Sequence, residues 1–378
     1  MSATNAWPAE SEKNPSLLLY NPFDARYENR PVPQLSDPHD VLVRIAYVGC
    51  CGSDVHFWHH GGMSRKVSPD APIVMGHEAS GVVVATGPAV TTLAAGDRVA
   101  IEPGYPCRRC GACKAGRYNL CKQMRFAAAP GGIAAGVEKL ATHGTLCRFF
   151  RIPEDFCYAL GGGADGVALD EAVLVEPAAV AVHTCRLADV RSGQSVVVFG
   201  AGTIGLLCAA VARAFGAARV VVVDVLPRKL DFARGFVDGV RTFLPRGGDD
   251  AEVNAARIVA EHALGDGADV VLEATGAEPC VQAGVHVLRS GGTFVQAGLG
   301  KSALLFPMVR LSEKEITLKG CFRYGAGDFE LALQLIREGR LSVKPLISSE
   351  VPFDRATEAW ERTARGEGIK NLIRGPED

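Results

Sequence analysis

One short stretch constrains the architecture of this chain more than any other. Ser195-Val-Val-Val-Phe199 reads as a buried strand and runs directly into Gly200-Ala-Gly202-Thr203-Ile204-Gly205, after which apolar residues continue at helical spacing to Phe215. Between a strand and a helix each glycine has a task. Gly200 permits the tight turn, Gly202 lets the backbone approach a pyrophosphate, and Gly205 lets helix and strand pack closely. The helix start then offers unpaired N–H groups and the positive end of the helix dipole to phosphates. Thr203 and Ile204 belong to the same turn and are expected to contact the dinucleotide with it. Asp224 closes the next strand, 19 residues beyond Gly205. Its carboxylate suits the ribose hydroxyls of NAD and repels the additional phosphate of NADP. Arg228 and Lys229 follow closely enough to reach that phosphate, and Lys229 is counted with the cofactor-binding residues. An ordinary turn with a surface aspartate is the plain alternative, and the combined spacing argues against it.

The alternation continues around this motif. A helix is expected over Ala178–Leu187, strands over Arg219–Asp224, Ala268–Glu273 and Gly292–Gly298, and a helix over Arg228–Phe236, which together specify βαβ units and a parallel sheet covered on both faces. Upstream, from Ser16 to about Ala100, short β-type runs such as Val41–Val48 and Gly81–Ala85 alternate with Gly, Pro and Asp turns and predict a twisted β domain. Residues 103–165 are irregular, with Ala127–Gly136 read as a loop. Beyond Gly320 the pattern predicts a helix at Phe329–Arg337, a β run at Lys344–Pro352 and an amphipathic helix at Ala356–Thr363. Residues 1–14 read as a tail that packs little surface. A chain of 378 residues exceeds what one core usually serves. Its formal charge of −2 provides no basic field for nucleic acid. Neither an export signal nor an apolar run long enough for a membrane span is visible, so a cytoplasmic enzyme acting on a small neutral substrate is expected.

Four of the twelve cysteines cluster, Cys107-x-x-Cys110-x-x-Cys113 and Cys121, within fifteen residues. Near-adjacent thiolates closing on a short loop match a structural zinc with no open position, a staple for a loop with little core of its own. An iron–sulfur cluster shares part of this spacing, and free thiols are the plain alternative. Cys50, Cys147, Cys157, Cys185, Cys208, Cys280 and Cys321 have no ligand spacing and read as small buried hydrophobes.

A second set is dispersed: Cys51-Gly-Ser53-Asp54-Val-His56, then Gly76-His77-Glu78, then Glu176-Pro177. Ligands drawn from separate segments suit a metal that keeps a free position, where an alcohol can bind and lose its proton near neutral pH. His59 and His60 read as solvated loop residues, and His143, His183, His262 and His286 as structural.

These motifs, together with Gly116-Arg-Tyr-Asn-Leu-Cys121, Val175-Glu-Pro177 and Phe322-Arg-Tyr-Gly325, resemble the zinc-containing medium-chain alcohol dehydrogenases. Within that family the chain looks like the polyol branch of sorbitol and xylitol dehydrogenases, closest to its fungal-type xylitol enzymes, from about residue 16 to 374. The resemblance implies two zinc ions per subunit and NAD. Cys51, His77 and Glu78 would hold the catalytic zinc, with Glu176 binding it directly or holding its water. Cys107, Cys110, Cys113 and Cys121 would hold the structural one. It implies a proton relay through Ser53 and His56, with Asp54 orienting His77. Arg323 and Tyr324 would bind the polyol, with Phe57 and Trp58 walling the pocket, although a core role is the plain alternative for both aromatics.

The implied architecture is a GroES-like β domain, residues 1–177 and 321–378, plus a doubly wound Rossmann domain, 178–320, with the catalytic zinc in the cleft. The implied reaction is NAD-linked oxidation of a secondary alcohol to a ketose, xylitol to D-xylulose first, with L-arabinitol and sorbitol as rivals. A homo-oligomer, dimer or tetramer, is the family habit. A zinc-free quinone reductase or a non-catalytic, crystallin-like protein on the same scaffold would lack this ligand set. The four-cysteine site is complete here, unlike in many relatives, and residues 127–143 look like an insertion that bears on substrate range.

Overall fold

The computed structural model describes residues 7–9, 11–62, 66–130, 142–162 and 166–377. Most of the 127–143 stretch expected to be an insertion therefore lies outside the described residues. In chain order, β1 (Asn14–Asn21) and β2 (Asp24–Arg30) pair antiparallel, with Leu17 opposite Tyr27. β3 (Asp40–Gly49) follows, with Val41, Leu42 and Val43 fully buried, and leads through Cys50 and Cys51 into a helix, α1 (Gly52–His60). β4 (Ile73–Val74) joins β1, β5 (Glu78–Thr86) pairs with β3, and β6 (Arg98–Ile101) pairs with β5. β7 (Gly104–Tyr105) and β8 (Arg125–Phe126) form a ribbon from which the cysteine loop extends. β9 (Phe149–Pro153) and β10 (Cys157–Ala159) then pair with β3 and β6.

Next come β11 (Ser195–Phe199), β12 (Arg219–Val223), β13 (Arg241–Phe243), β14 (Ala268–Glu273), β15 (Leu288–Gln296) and β16 (Thr317–Gly320). They form one parallel sheet in the order β13-β12-β11-β14-β15-β16. This is the doubly wound order, whose direction reverses between its first and fourth strands, here β11 and β14, and ligands bind beyond the strand ends at that point. Val197, Val221 and Val271 are fully buried because helices cover both faces. β17 (Ile347–Val351) and β18 (Lys370–Arg374) return to the antiparallel sheet, ordered β10-β6-β5-β3-β18-β17.

By contacts the chain divides into Met1–Glu176 with Gly325–Asp378, and Pro177–Tyr324. The segment 321–324, assigned from sequence to the returning part, falls in the second unit. The first unit's core gathers Leu17, Leu19, Val43, Ile45, Val99, Ile101 and Ile373, with Trp58 of α1 against Trp360 at a ring distance of 5.5 Å.

Three local expectations are corrected. The first fourteen residues are anchored where described: Trp7 Nε1 donates to the Pro33 carbonyl at 2.9 Å, and buried Asn14 exchanges two hydrogen bonds with the Phe149 backbone. Lys344–Leu346 is a 3-10 turn rather than strand, since Pro345 cannot donate to a ladder. Finally, His59 and His60 lie in the last turn of α1 rather than in a loop.

Candidate active site and metal centres

α1 begins where β3 ends, and its start is fixed by Asp54. The Cys51 N–H, preceding the first turn, donates to Asp54 Oδ2 at 2.9 Å, the backward half of a capping box. Gly61, with φ of 75°, ends the helix by donating its N–H to the Phe57 carbonyl at 2.7 Å. Asp54 is buried, and its other oxygen lies 3.6 Å from His77 Nδ1. One carboxylate thus both starts the helix that presents Cys51 and faces the imidazole that immediately precedes β5. Ligand atoms of Cys51, His77 and Glu78 lie within 4.8 Å of one another. Burial opposes a charged His77, yet Asp54 and Cys51 together hold its pKa well above the ordinary histidine value. A buried pocket that favours positive charge and offers sulfur, nitrogen and oxygen donors fits a zinc ion.

Lys370, on β18, is the residue that sequence reasoning missed. Its Nζ donates to both Glu78 oxygens, at 2.9 and 2.7 Å, and to the Cys50 carbonyl at 3.1 Å. Burial works against the ammonium, but Glu78 and then Cys51 outweigh it and raise its pKa. Opposite Glu78 on the paired strand is Gly49, where a Cβ would come within 2.1 Å of Glu78 Oε2. Only glycine leaves that carboxylate its place. The nearest local signal was the glycine itself, since no sequence spacing joins Glu78 to a lysine 292 positions away.

The four loop cysteines also gather their sulfurs within 4.8 Å, with Sγ–Sγ distances of 3.4 Å for Cys110–Cys113 and 3.9 Å for Cys107–Cys113. Tetrahedral zinc with Zn–S of about 2.3 Å needs sulfurs about 3.8 Å apart, so this donor set fits. Backbone N–H groups of Cys107 and Cys110 point at the sulfurs of Cys121 and Cys107, at 3.4 Å each. Backbone hydrogen bonds, led by that from Arg109, lower the Cys107 thiol to about 6. Tyr118, inside the loop, donates to buried Glu102 at 2.5 Å, which also accepts from Tyr158 at 2.7 Å. Burial pushes the Glu102 carboxyl up to about 8, against the pull of these two hydroxyls.

At the dinucleotide turn, Gly200 has φ of 100°, and a Cβ there would meet Thr275 Cγ2 at 2.8 Å. A Cβ at Gly205 would lie 1.8 Å from the Gly200 carbonyl oxygen, which is the close packing the motif requires. Gly202 precedes the helix Thr203–Ala214, and nothing lies within 4 Å of where its Cβ would be, so the space over the helix start is open. Thr203 and Ile204 are half-buried in its first turn. Asp224 ties the motif together, accepting from Ala201 N–H at 2.8 Å and Leu226 N–H at 2.9 Å. Lys229 sits half-buried in the following helix, Pro227–Phe236.

The remaining sequence-derived residues are placed as follows. Ser53 and His56 occupy the first two turns of α1, His56 exposed. Glu176 is buried in the first turn of the helix Val175–Ala188, outside the trio of clustered ligand atoms. Trp58 is a core residue rather than a pocket wall, packed against Phe23 and Trp360, and Phe57 packs against the same core. Tyr324 is buried and Arg323 half-buried. Arg323 has φ of 58°, a left-handed conformation that costs a non-glycine residue on the order of 1 kcal/mol and that clusters at functional sites. Its guanidinium lies 4.7 Å from the centre of the Phe322 ring.

Residues 37–162 match the model of the alcohol dehydrogenase GroES-like domain, and residues 203–338 that of the zinc-binding dehydrogenases. With one GroES-like unit and one doubly wound unit, the chain belongs to the zinc-binding alcohol dehydrogenase family. It is 50% identical over 367 residues to a protein named "Probable D-xylulose reductase A" of Aspergillus terreus, covering 97% of this chain and 99% of the relative. It is 48% identical over 363 residues to the D-xylulose reductase A of Aspergillus niger, covering 96% and 97%. Among solved structures, the L-idonate 5-dehydrogenase of Escherichia coli superposes with a TM-score of 0.84 at 28% identity, covering 96% of this chain and 98% of that one.

Proposed function

We propose that this chain is a zinc-dependent, NAD-preferring polyol dehydrogenase that interconverts xylitol and D-xylulose. The observation that carries this reading is the cluster of half-buried Cys51 with buried His77 and Glu78 in a chain about half identical, end to end, to proteins named for D-xylulose reduction. When bound, zinc supplies a Lewis acid that lowers the pKa of the substrate alcohol, and NAD supplies the hydride acceptor.

The chain's own residues do the rest. Cys51, His77 and Glu78 hold the cation, with Glu176 as a further carboxylate toward metal or substrate. Asp54 fixes His77 in one orientation. Lys370 neutralises Glu78, so that the donor set carries less net negative charge than its composition indicates. Ser53 takes up the alcohol proton and His56, exposed on α1, passes it to solvent. Gly200, Gly202, Thr203, Ile204 and Gly205 receive the pyrophosphate at the helix start, and Asp224 and Lys229 face the adenine ribose. Arg323 and Tyr324 bind the polyol hydroxyls, and Phe57 is assigned to the substrate as well. Cys107, Cys110, Cys113 and Cys121 hold the structural zinc.

Initial rates with NAD and NADP against xylitol, D-sorbitol, L-arabinitol and ethanol test the reading. It requires NAD-linked xylitol oxidation to dominate; preference for another polyol moves the substrate assignment, and no polyol activity at all removes it. The association we propose is a homo-oligomer through the second unit's open sheet edge. There β16 leaves Leu318 about half exposed, and Met308 and Val309 of the neighbouring helix are 60% and 72% exposed. No described helix is long and apolar enough to cross a membrane. All twelve cysteines are free, which suits the reducing cytoplasm we assign.

A further inference from the structure

Two faces of α1 differ. Asp54 and Trp58, four residues apart, are buried; His56 and His60, also four apart and offset from the first pair by two positions, are exposed on the other side. The His56 and His60 rings lie with centroids 4.8 Å apart and planes inclined at 56°. His59 packs against Phe23, at 5.2 Å and 31°, and meets His60 only edge-on, at a centroid distance of 6.1 Å. Among the described residues no hydrogen bond or ion pair engages either ring of the pair.

Two imidazoles one helical turn apart on one face are the donor arrangement that helical zinc sites use, and neutral imidazole suits zinc, nickel and copper. His60 is in the final turn, where the outward carbonyls and the dipole favour added positive charge. We propose that His56 and His60 form a third transition-metal site, separate from the buried donor cluster and from the cysteine loop. With two protein ligands and the other positions left to water, this site is weaker and faster-exchanging than the other two, and it fills only when free metal is in excess. A consequence rests on the proton-relay reading of His56: a metal on that imidazole occupies the lone pair that accepts the proton, so excess metal slows turnover without displacing the resident zinc.

Nickel chloride titrated into the zinc-loaded enzyme, followed by calorimetry with released zinc counted, tests the site. One additional Ni2+ per chain is expected in the wild type. His60→Ala should weaken it by about tenfold or more while leaving the nickel-free rate unchanged, and His59→Ala should leave affinity intact. Unchanged nickel affinity in His60→Ala, or zinc release in step with nickel uptake, overturns the site. Nickel binding that depends on His60 but leaves the dehydrogenase rate untouched sustains the site and overturns the relay role of His56, so the two readings fail separately.

Discussion

Lys370 and Glu78 are both almost fully buried, their side chains 3% and 2% exposed, and pair at 2.7 Å. Replacing the lysine with methionine leaves a buried carboxylate beside the thiol of Cys51, and removing one partner of such a pair typically costs about 3–5 kcal/mol. Lys370→Met is therefore expected to unfold at markedly lower urea concentration than the wild type; an unchanged midpoint would show that the pair carries no net stability. Glu154 gives a pH-dependent counterpart. Burial raises its pKa, but His39, the Thr92 hydroxyl and the Thr91 and Thr92 N–H groups outweigh it and hold the carboxyl at about 2, against 4.5 unperturbed. A depressed carboxyl stabilises the fold fully above about pH 4.5 and loses that contribution as pH falls toward 2. From the shift its size is on the order of 3 kcal/mol. Unfolding free energies of Glu154→Gln and wild type should thus differ most at neutral pH and converge as pH drops from 4.5; a constant gap would contradict the assignment. Neither residue was legible as a site from sequence, because their partners are remote: Lys370 lies 292 positions from Glu78, and His39 lies 115 from Glu154.

At the scale of elements, the glycine turn and the cysteine loop were legible and α1 was not. A strand, three glycines and an aspartate at fixed offsets encode local backbone demands, which survive in the structure as the absence of room for a Cβ at Gly205, where one would lie 1.8 Å from the Gly200 carbonyl oxygen, and as the Asp224 bonds to the turn. Gly205→Ala must push helix and strand apart, at a cost of about 1–3 kcal/mol for overpacking, and should raise the KM for NAD well above its effect on KM for xylitol; equal effects would place the damage elsewhere. The cysteine loop has little core, so metal closure carries its order. Cys110→Ser is expected to lower zinc from two per chain to one and to lower Tm, with metal analysis as the check; retention of both ions would move the structural site. α1 escaped a sequence reading because Val55, Phe57 and Trp58 are not strong helix formers, and its start depends on the Asp54 carboxylate reaching back to Cys51.

For the whole molecule, chelation should abolish activity, and light scattering should return a mass of at least two chains. If the proposed edge is the interface, Val309→Asp reduces that mass without loss of helix content. Sequence by itself determined what depends on neighbours along the chain: the βαβ alternation, the dinucleotide turn, the clustered thiols and the residue types of the dispersed ligands. Their spacing is local covalent geometry, which a short segment carries with it. Only the tertiary structure decided which side chains share a dielectric: that Lys370 reaches Glu78, that Gly49 makes room for that carboxylate, that Trp58 belongs to the core and that His56 and His60 face outward together. Burial, charge pairing and steric clearance are properties of three-dimensional packing, and strands far apart in sequence supply them.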